Sequence, residues 1–175
     1  MRLFIAIDIP EEVSEELKRA QAKLGSDGLK PVSSFHMTHK FLGEVSEERA
    51  EWLKEKLKAV RHKAFEARLS GIGIFPNEKY IRVVWVGLEP AEELTSLHKK
   101  IDEAIGKEYP DDHKFTPHIT LARVRLINDK KGFVERIKKI KVAEKKFMVN
   151  EFKLKKSTLA RPNPVYEDVA EFRLG

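Results

Sequence analysis

The chain has no cysteine, one glutamine (Gln21), two tryptophans and three methionines among 175 residues. Without cysteine there is no disulfide scaffold, no thiolate-held zinc or iron–sulfur centre and no thiol nucleophile. No apolar run approaches the ~20 residues that a membrane helix requires. The opening Met1-Arg2-Leu3-Phe4-Ile5-Ala6-Ile7-Asp8 reaches an acid after five apolar residues, too few for the core of a signal peptide. A soluble, cytoplasmic protein with no membrane association is the expectation. Gly71-x-Gly73 lacks the spacing of a dinucleotide loop, and no Gly-Lys-Ser/Thr phosphate loop occurs, so ATP dependence is not expected.

What is present is 41% hydrophobic residues, enough for a core, and 35% charged residues with a net charge of +6. A mild basic excess suits a polyanion such as RNA, although solubility explains it equally well. Lysine and glutamate dominate the charges, the composition expected of a protein built for heat.

Apolar periodicity places strands at Leu3–Ile9, Phe35–Leu42, Phe65–Ile74, Ile81–Leu88, Phe147–Leu154 and Val165–Leu174. Helical stripes run through Val13, Leu17, Ala20 and Leu24, and through Trp52, Leu53, Leu57 and Val60 behind a Ser46 cap. Two more follow, through Leu94, Leu97, Ile101 and Ile105 and through Phe133, Ile137 and Ile140. Pro76-Asn77-Glu78 and Pro162-Asn163-Pro164 read as turns.

The chain also repeats itself. Arg2 to Pro10 aligns with Arg82 to Pro90 at an offset of 80, each followed by an acidic helix start. Phe35-His36-Met37-Thr38-His39 aligns with Pro117-His118-Ile119-Thr120-Leu121 at an offset of 82. Two copies of one β-α-β-α-β unit, about 1–80 and 81–175, predict a single α/β (α+β) domain spanning 1–175. The expected shape is bilobal, with pseudo-twofold-related lobes facing each other across a cleft.

On a strand, residues i and i+2 share a face, so His36 sits beside Thr38 and His118 beside Thr120. Imidazoles titrate near neutrality, so one can hold a proton while the other lacks it. Paired as acid and base, each contributes roughly 10²–10⁴-fold to a proton-transfer step. Threonine hydroxyls can donate to phosphate oxygens. This equipment can cleave a phosphodiester without a metal. One His-x-Thr alone is a weak signal; two at matching points of a repeat are specific.

The motifs Phe35-His36-Met37-Thr38-His39-Lys40-Phe41-Leu42-Gly43-Glu44 and Thr116-Pro117-His118-Ile119-Thr120-Leu121-Ala122-Arg123 resemble the two-histidine phosphoesterase superfamily. Within it they resemble the RNA 2',3'-cyclic phosphodiesterase (2'-5' RNA ligase) family of bacterial and archaeal type. The resemblance implies an antiparallel sheet in each lobe and no cofactor or metal. It implies hydrolysis of RNA 2',3'-cyclic phosphate ends to 2'-phosphomonoesters, and in some members 2'-5' joining of RNA halves, including tRNA halves. By position, His36 is the implied proton donor and His118 the implied base. Thr38, Thr120 and Arg123 are implied phosphate ligands, and Phe41 a base platform.

Strict alternation would turn Arg123 away from His118 and Phe41 away from His36. Either the strands depart from regularity beyond the threonines, or these two residues only flank the site. His39 departs from the apolar residue usual there; alternation puts it opposite His36, between sheet and helix. His62, His98 and His113 read as solvated, and Lys138-Lys139, Lys145-Lys146 and Lys155-Lys156 as solvated faces that could guide RNA. Trp52, Tyr80 and Trp85 fit apolar stripes, Phe115 reads as core, and Tyr166 fits cleft or core equally. A monomer is expected. The rival reading is an RNA-binding protein with vestigial catalysis.

Overall fold

A computed structural model describes residues 1–175. In chain order the elements are β1 (Arg2–Asp8), α1 (Glu11–Ala22), β2 (Leu29–Pro31), β3 (His36–Glu44), α2 (Glu47–Leu57), β4 (Phe65–Asn77) and β5 (Tyr80–Glu89). They continue with α3 (Ala91–Ile105), β6 (His118–Val124), α4 (Lys130–Lys138), β7 (Lys146–Val149), β8 (Glu151–Thr158) and β9 (Val165–Arg173). The local causes are those of the sequence: Ser46 caps α2 by accepting from the Arg49 N–H, and Glu11, Glu12, Glu92 and Glu93 sit at the positive ends of α1 and α3.

The strands form two antiparallel sheets, ordered β3-β1-β8-β9 (sheet A) and β2-β6-β5-β4-β7 (sheet B). The mixed α/β class with an antiparallel sheet on each side therefore holds. The sheets, however, do not divide the chain at residue 80. β4 from the first half completes sheet B beside β5, and β8 from the second half completes sheet A beside β1. Helices cross over in the same way. Gln21 of α1 donates to the Leu121 carbonyl of β6, while Asp102 of α3 ion-pairs with Lys40 of β3.

Three details differ from the sequence reading. Phe147–Leu154 is not one strand; it breaks at Asn150 into β7, paired with β4, and β8, paired with β1. β2, a three-residue edge strand after Gly28, had no periodic signal. The repeat also slips by one residue in its first strand. Asp8 lies opposite His36 and Gly87 opposite His118, so Asp8 answers to Gly87, not to Leu88. A slip of one residue exchanges faces, so an offset of 80 would place core residues in the cleft.

One continuous cluster of 38 buried apolar residues lies between sheets and helices. Met37 and Ile119, on the core faces of β3 and β6, are completely buried. They anchor the two motif strands from behind. On the cleft face of sheet A, Lys153 and Lys155 bridge Asp8 and Asp168 in a ring of four contacts at 2.7–2.8 Å. Lys155 is thus buried and paired rather than solvated. Such networks match the composition's leaning toward heat tolerance.

Candidate active site

The sheets meet along β3 and β6. The register shows which side chains share the meeting face, because residues directly opposite on antiparallel strands point the same way. Along β1, Phe4, Ala6 and Asp8 lie opposite Phe41, Thr38 and His36. Along β5, Val83, Trp85 and Gly87 lie opposite Arg123, Thr120 and His118. Each triplet on β1 and β5 alternates strictly, so each triplet on β3 and β6 faces one side. Phe41 therefore shares the face of His36 and Thr38, and Arg123 that of His118 and Thr120.

A β-bulge in each strand produces this. The pairing skips His39 between Thr38 and Lys40, and skips Leu121 between Thr120 and Ala122. One extra residue reverses the parity of the residues that follow it, in β3 as far as a second skip at Leu42. Burial agrees: in both strands two consecutive residues are buried, His39-Lys40 and Leu121-Ala122, before an exposed Phe41 or Arg123. The Leu121 carbonyl, released from the ladder, accepts instead from the Gln21 amide at 2.8 Å and the Val32 N–H at 3.0 Å. Gln21 had no signal beyond being the only glutamine.

The two histidines have different surroundings. His118 Nδ1 lies 2.7 Å from the Thr116 carbonyl. A carbonyl only accepts, so Nδ1 carries the proton and Nε2 is left with its lone pair. Phe75 meets the His118 ring edge-on at 4.8 Å, and Trp85 lies 5.9 Å away. The Trp85 ring can lie there only because residue 73 is glycine; a Cβ would fall 2.2 Å from it. Burial lowers the His118 pKa, and the Thr116 carbonyl partly offsets this.

His36 packs against Phe4 at 5.1 Å and edge-on to Tyr166 at 5.2 Å, so Tyr166 is a cleft residue. Burial first, then the Lys155 and Arg123 charges, lower its pKa to about 4, while Asp8 pulls the other way. Beside His36 opens a recess of about 440 Å³ lined by residues that include Asp8, Ser33, Ser34, Lys155 and Tyr166. Phe41 stands out of the face, 71% exposed, with Phe4 at 6.2 Å beneath it.

The remaining candidates fall elsewhere. His39 packs between sheet and helix, stacked on His98 and Phe115. His98 and His62 are buried, not solvated: His98 stacks on Phe115 at 4.0 Å and contacts Asp111, and His62 faces Phe65 and Glu93. Tyr80 is exposed under Arg82, outside any apolar stripe. Trp52 is half-buried beneath the Arg49 guanidinium. His98, Asp102 and Asp111 bring three donors to metal-ligand spacing, but the Lys40 ammonium stands among them, 2.7 and 2.6 Å from the carboxylates. The cluster is an ion-pair network on the core side of β3, away from His36. No helix is long and apolar enough to cross a membrane.

Residues 9–159 match the profile of the 2'-5' RNA ligase superfamily. The chain belongs to the 2'-5' RNA ligase superfamily. Its curated relatives in that superfamily include an RNA 2',3'-cyclic phosphodiesterase of Methanocaldococcus jannaschii, 40% identical over 98% of this chain and 100% of that protein. Another RNA 2',3'-cyclic phosphodiesterase, from Archaeoglobus fulgidus, is 35% identical over 98% and 99%. Among solved structures, TT0787 of Thermus thermophilus superposes with a TM-score of 0.80 at 33% identity, covering 99% of this chain and 97% of that one. E. coli LigT complexed with 3'-AMP gives 0.80 at 28% identity over the same shares. The superfamily suggested by the two motifs is thus the one the whole chain matches.

Proposed function

We propose that this chain hydrolyses RNA 2',3'-cyclic phosphate ends to 2'-phosphomonoesters by metal-independent acid–base catalysis between His36 and His118. The observation that carries the reading is the equivalent pair of bulged strands, each presenting His, Thr and a third residue to one face. His118 Nε2, its lone pair exposed by the Thr116 contact, takes a proton from water as the water oxygen attacks phosphorus. The bond from phosphorus to O3' breaks, and His36 delivers a proton to O3'. Thr38, Thr120 and Arg123 hold the non-bridging oxygens, where charge grows. Phe41 stacks a base. Joining RNA halves through a 2'-5' bond uses the same groups in the same directions: an RNA 5'-hydroxyl replaces water, His118 takes its proton as O5' bonds to phosphorus, the bond to O3' breaks, and His36 protonates O3'.

A 2',3'-cyclic-phosphate oligonucleotide should give a 2'-phosphate, at the same rate with and without EDTA. A 3'-phosphate product, or strong inhibition by the chelator, sinks the reading. RNA binding with no turnover would instead favour the vestigial alternative.

The pH profile follows from the two imidazoles. His36 must hold a proton, so activity falls as pH rises through its pKa. His118 must lack one, so activity falls as pH drops through its own. Both lie below the ordinary 6.5, His36 at about 4. The maximum of kcat/KM is expected below pH 6.5, with the kcat limbs at higher pH because bound phosphate favours the charged imidazoles. A kcat/KM maximum above pH 7.5 would contradict these assignments.

A further inference from the structure

The cations of the cleft are distributed unevenly. On sheet A, Lys153 and Lys155 are neutralised by Asp8 and Asp168. On sheet B, Lys30 of β2 lies directly opposite Arg123 of β6, and both are exposed. No carboxylate pairs with either of them. Directly opposed residues share a face, so Lys30 extends the line of His118, Thr120 and Arg123.

Like charges opposite each other on neighbouring strands are unfavourable. Here they are also built in firmly. The Gly28 carbonyl accepts from Arg125 and Leu126 N–H, and the Val32 N–H is held by Leu121. Gly28 has φ +73, and a Cβ there would fall 1.6 Å from the Leu126 oxygen. The backbone around Lys30 is therefore pinned while its ammonium stays free. An anion between or beside the two side chains would remove their repulsion.

On the reading proposed above, the terminal cyclic phosphate occupies the two threonines and Arg123. The next anion along the substrate is the internucleotide phosphate of the preceding nucleotide. We propose that Lys30 binds this phosphate, so that the cleft is built for polynucleotide ends rather than for cyclic mononucleotides. The contact is present alike in ground and transition states, so it acts on KM rather than on kcat.

The test compares a 2',3'-cyclic mononucleotide with a trinucleotide ending in a 2',3'-cyclic phosphate, for the parent chain, Lys30→Gln, Lys30→Arg and the helix-surface control Lys18→Gln. Lys30→Gln should lower the trinucleotide-to-mononucleotide ratio of kcat/KM about tenfold, through KM. It should also flatten the log–log salt dependence on the trinucleotide by about one unit. Lys30→Arg should restore the ratio, and Lys18→Gln should leave it alone. An unchanged ratio in Lys30→Gln, or a drop in kcat equal on both substrates, overturns the assignment while leaving the hydrolytic reading intact. No turnover of either substrate by the parent chain overturns both.

Discussion

Replacing His36 or His118 with alanine is expected to lower turnover of a cyclic-phosphate oligonucleotide by roughly 10²–10⁴-fold, with the melting temperature nearly unchanged. The separation between activity and stability comes from where the rings sit. Both belong to the cleft face, and neither is in the apolar core. His36 has ring contacts with Phe4 and Tyr166 but no hydrogen bond, so its loss leaves no buried polar partner. His118 leaves only the Thr116 carbonyl, in the half-buried segment that leads into β6. Because the two act in one step, the double variant should be scarcely slower than the worse single one. Near-normal rates in either single variant would end the proposed mechanism; a melting temperature that falls together with the rate would make the histidines structural.

The second large effect is on stability, and it lies on the other side of the same strand. Lys40→Met should cost about 3 kcal/mol in denaturant unfolding, the low end for removing one partner of a buried ion pair because Asp102 and Asp111 partly reach solvent. Burial opposes the Lys40 ammonium, but the two carboxylates outweigh it and raise its pKa. Burial likewise opposes charge on Asp111, yet hydrogen bonds from Lys40 and His98 hold it well below the usual carboxylate range. The cluster therefore stays charged until strongly acid pH, where protonation of Asp111 removes its contribution. Removing the ammonium leaves two facing carboxylates beside β3. Adding Asp111→Asn to Lys40→Met should recover part of the loss. A cost below 1 kcal/mol would show that the network contributes little.

The shared faces of the two motifs were legible because they depend on local spacing. His36, Thr38, His118 and Thr120 follow from alternation alone, and their duplication raised a weak pattern to a specific one. The third residue of each motif was not legible in the same way. Phe41 and Arg123 reach the cleft through bulges, which are properties of pairing with β1 and β5. A bulge leaves no mark on local periodicity, and strict alternation placed both residues on the wrong face. His98, Lys40 and Lys155 were missed for a related reason. A lone charged residue reads as solvated, and only the fold supplies the partners that make its burial tolerable. Lys30 had no signal because three residues are too few to show a period. Asn150 shows the same limit, since an apolar run gives strand character but not the sheet to which each part belongs.

The exchange of β4 and β8 has a bearing on synthesis. A ribosome releases β1 and β3 early, but β1 gains its second neighbour only when β8 emerges, and sheet A closes only with β9. The strand carrying His36 is therefore made early and completed late. Long-range pairing of this kind is slow to nucleate and leaves an open strand edge while the chain is growing. The first half cannot mature as an independent intermediate. The face that carries His36 and Thr38 takes shape only once β8 and β9 have joined β1 in sheet A, so a product cut short before β8 exposes an unpaired β1 edge.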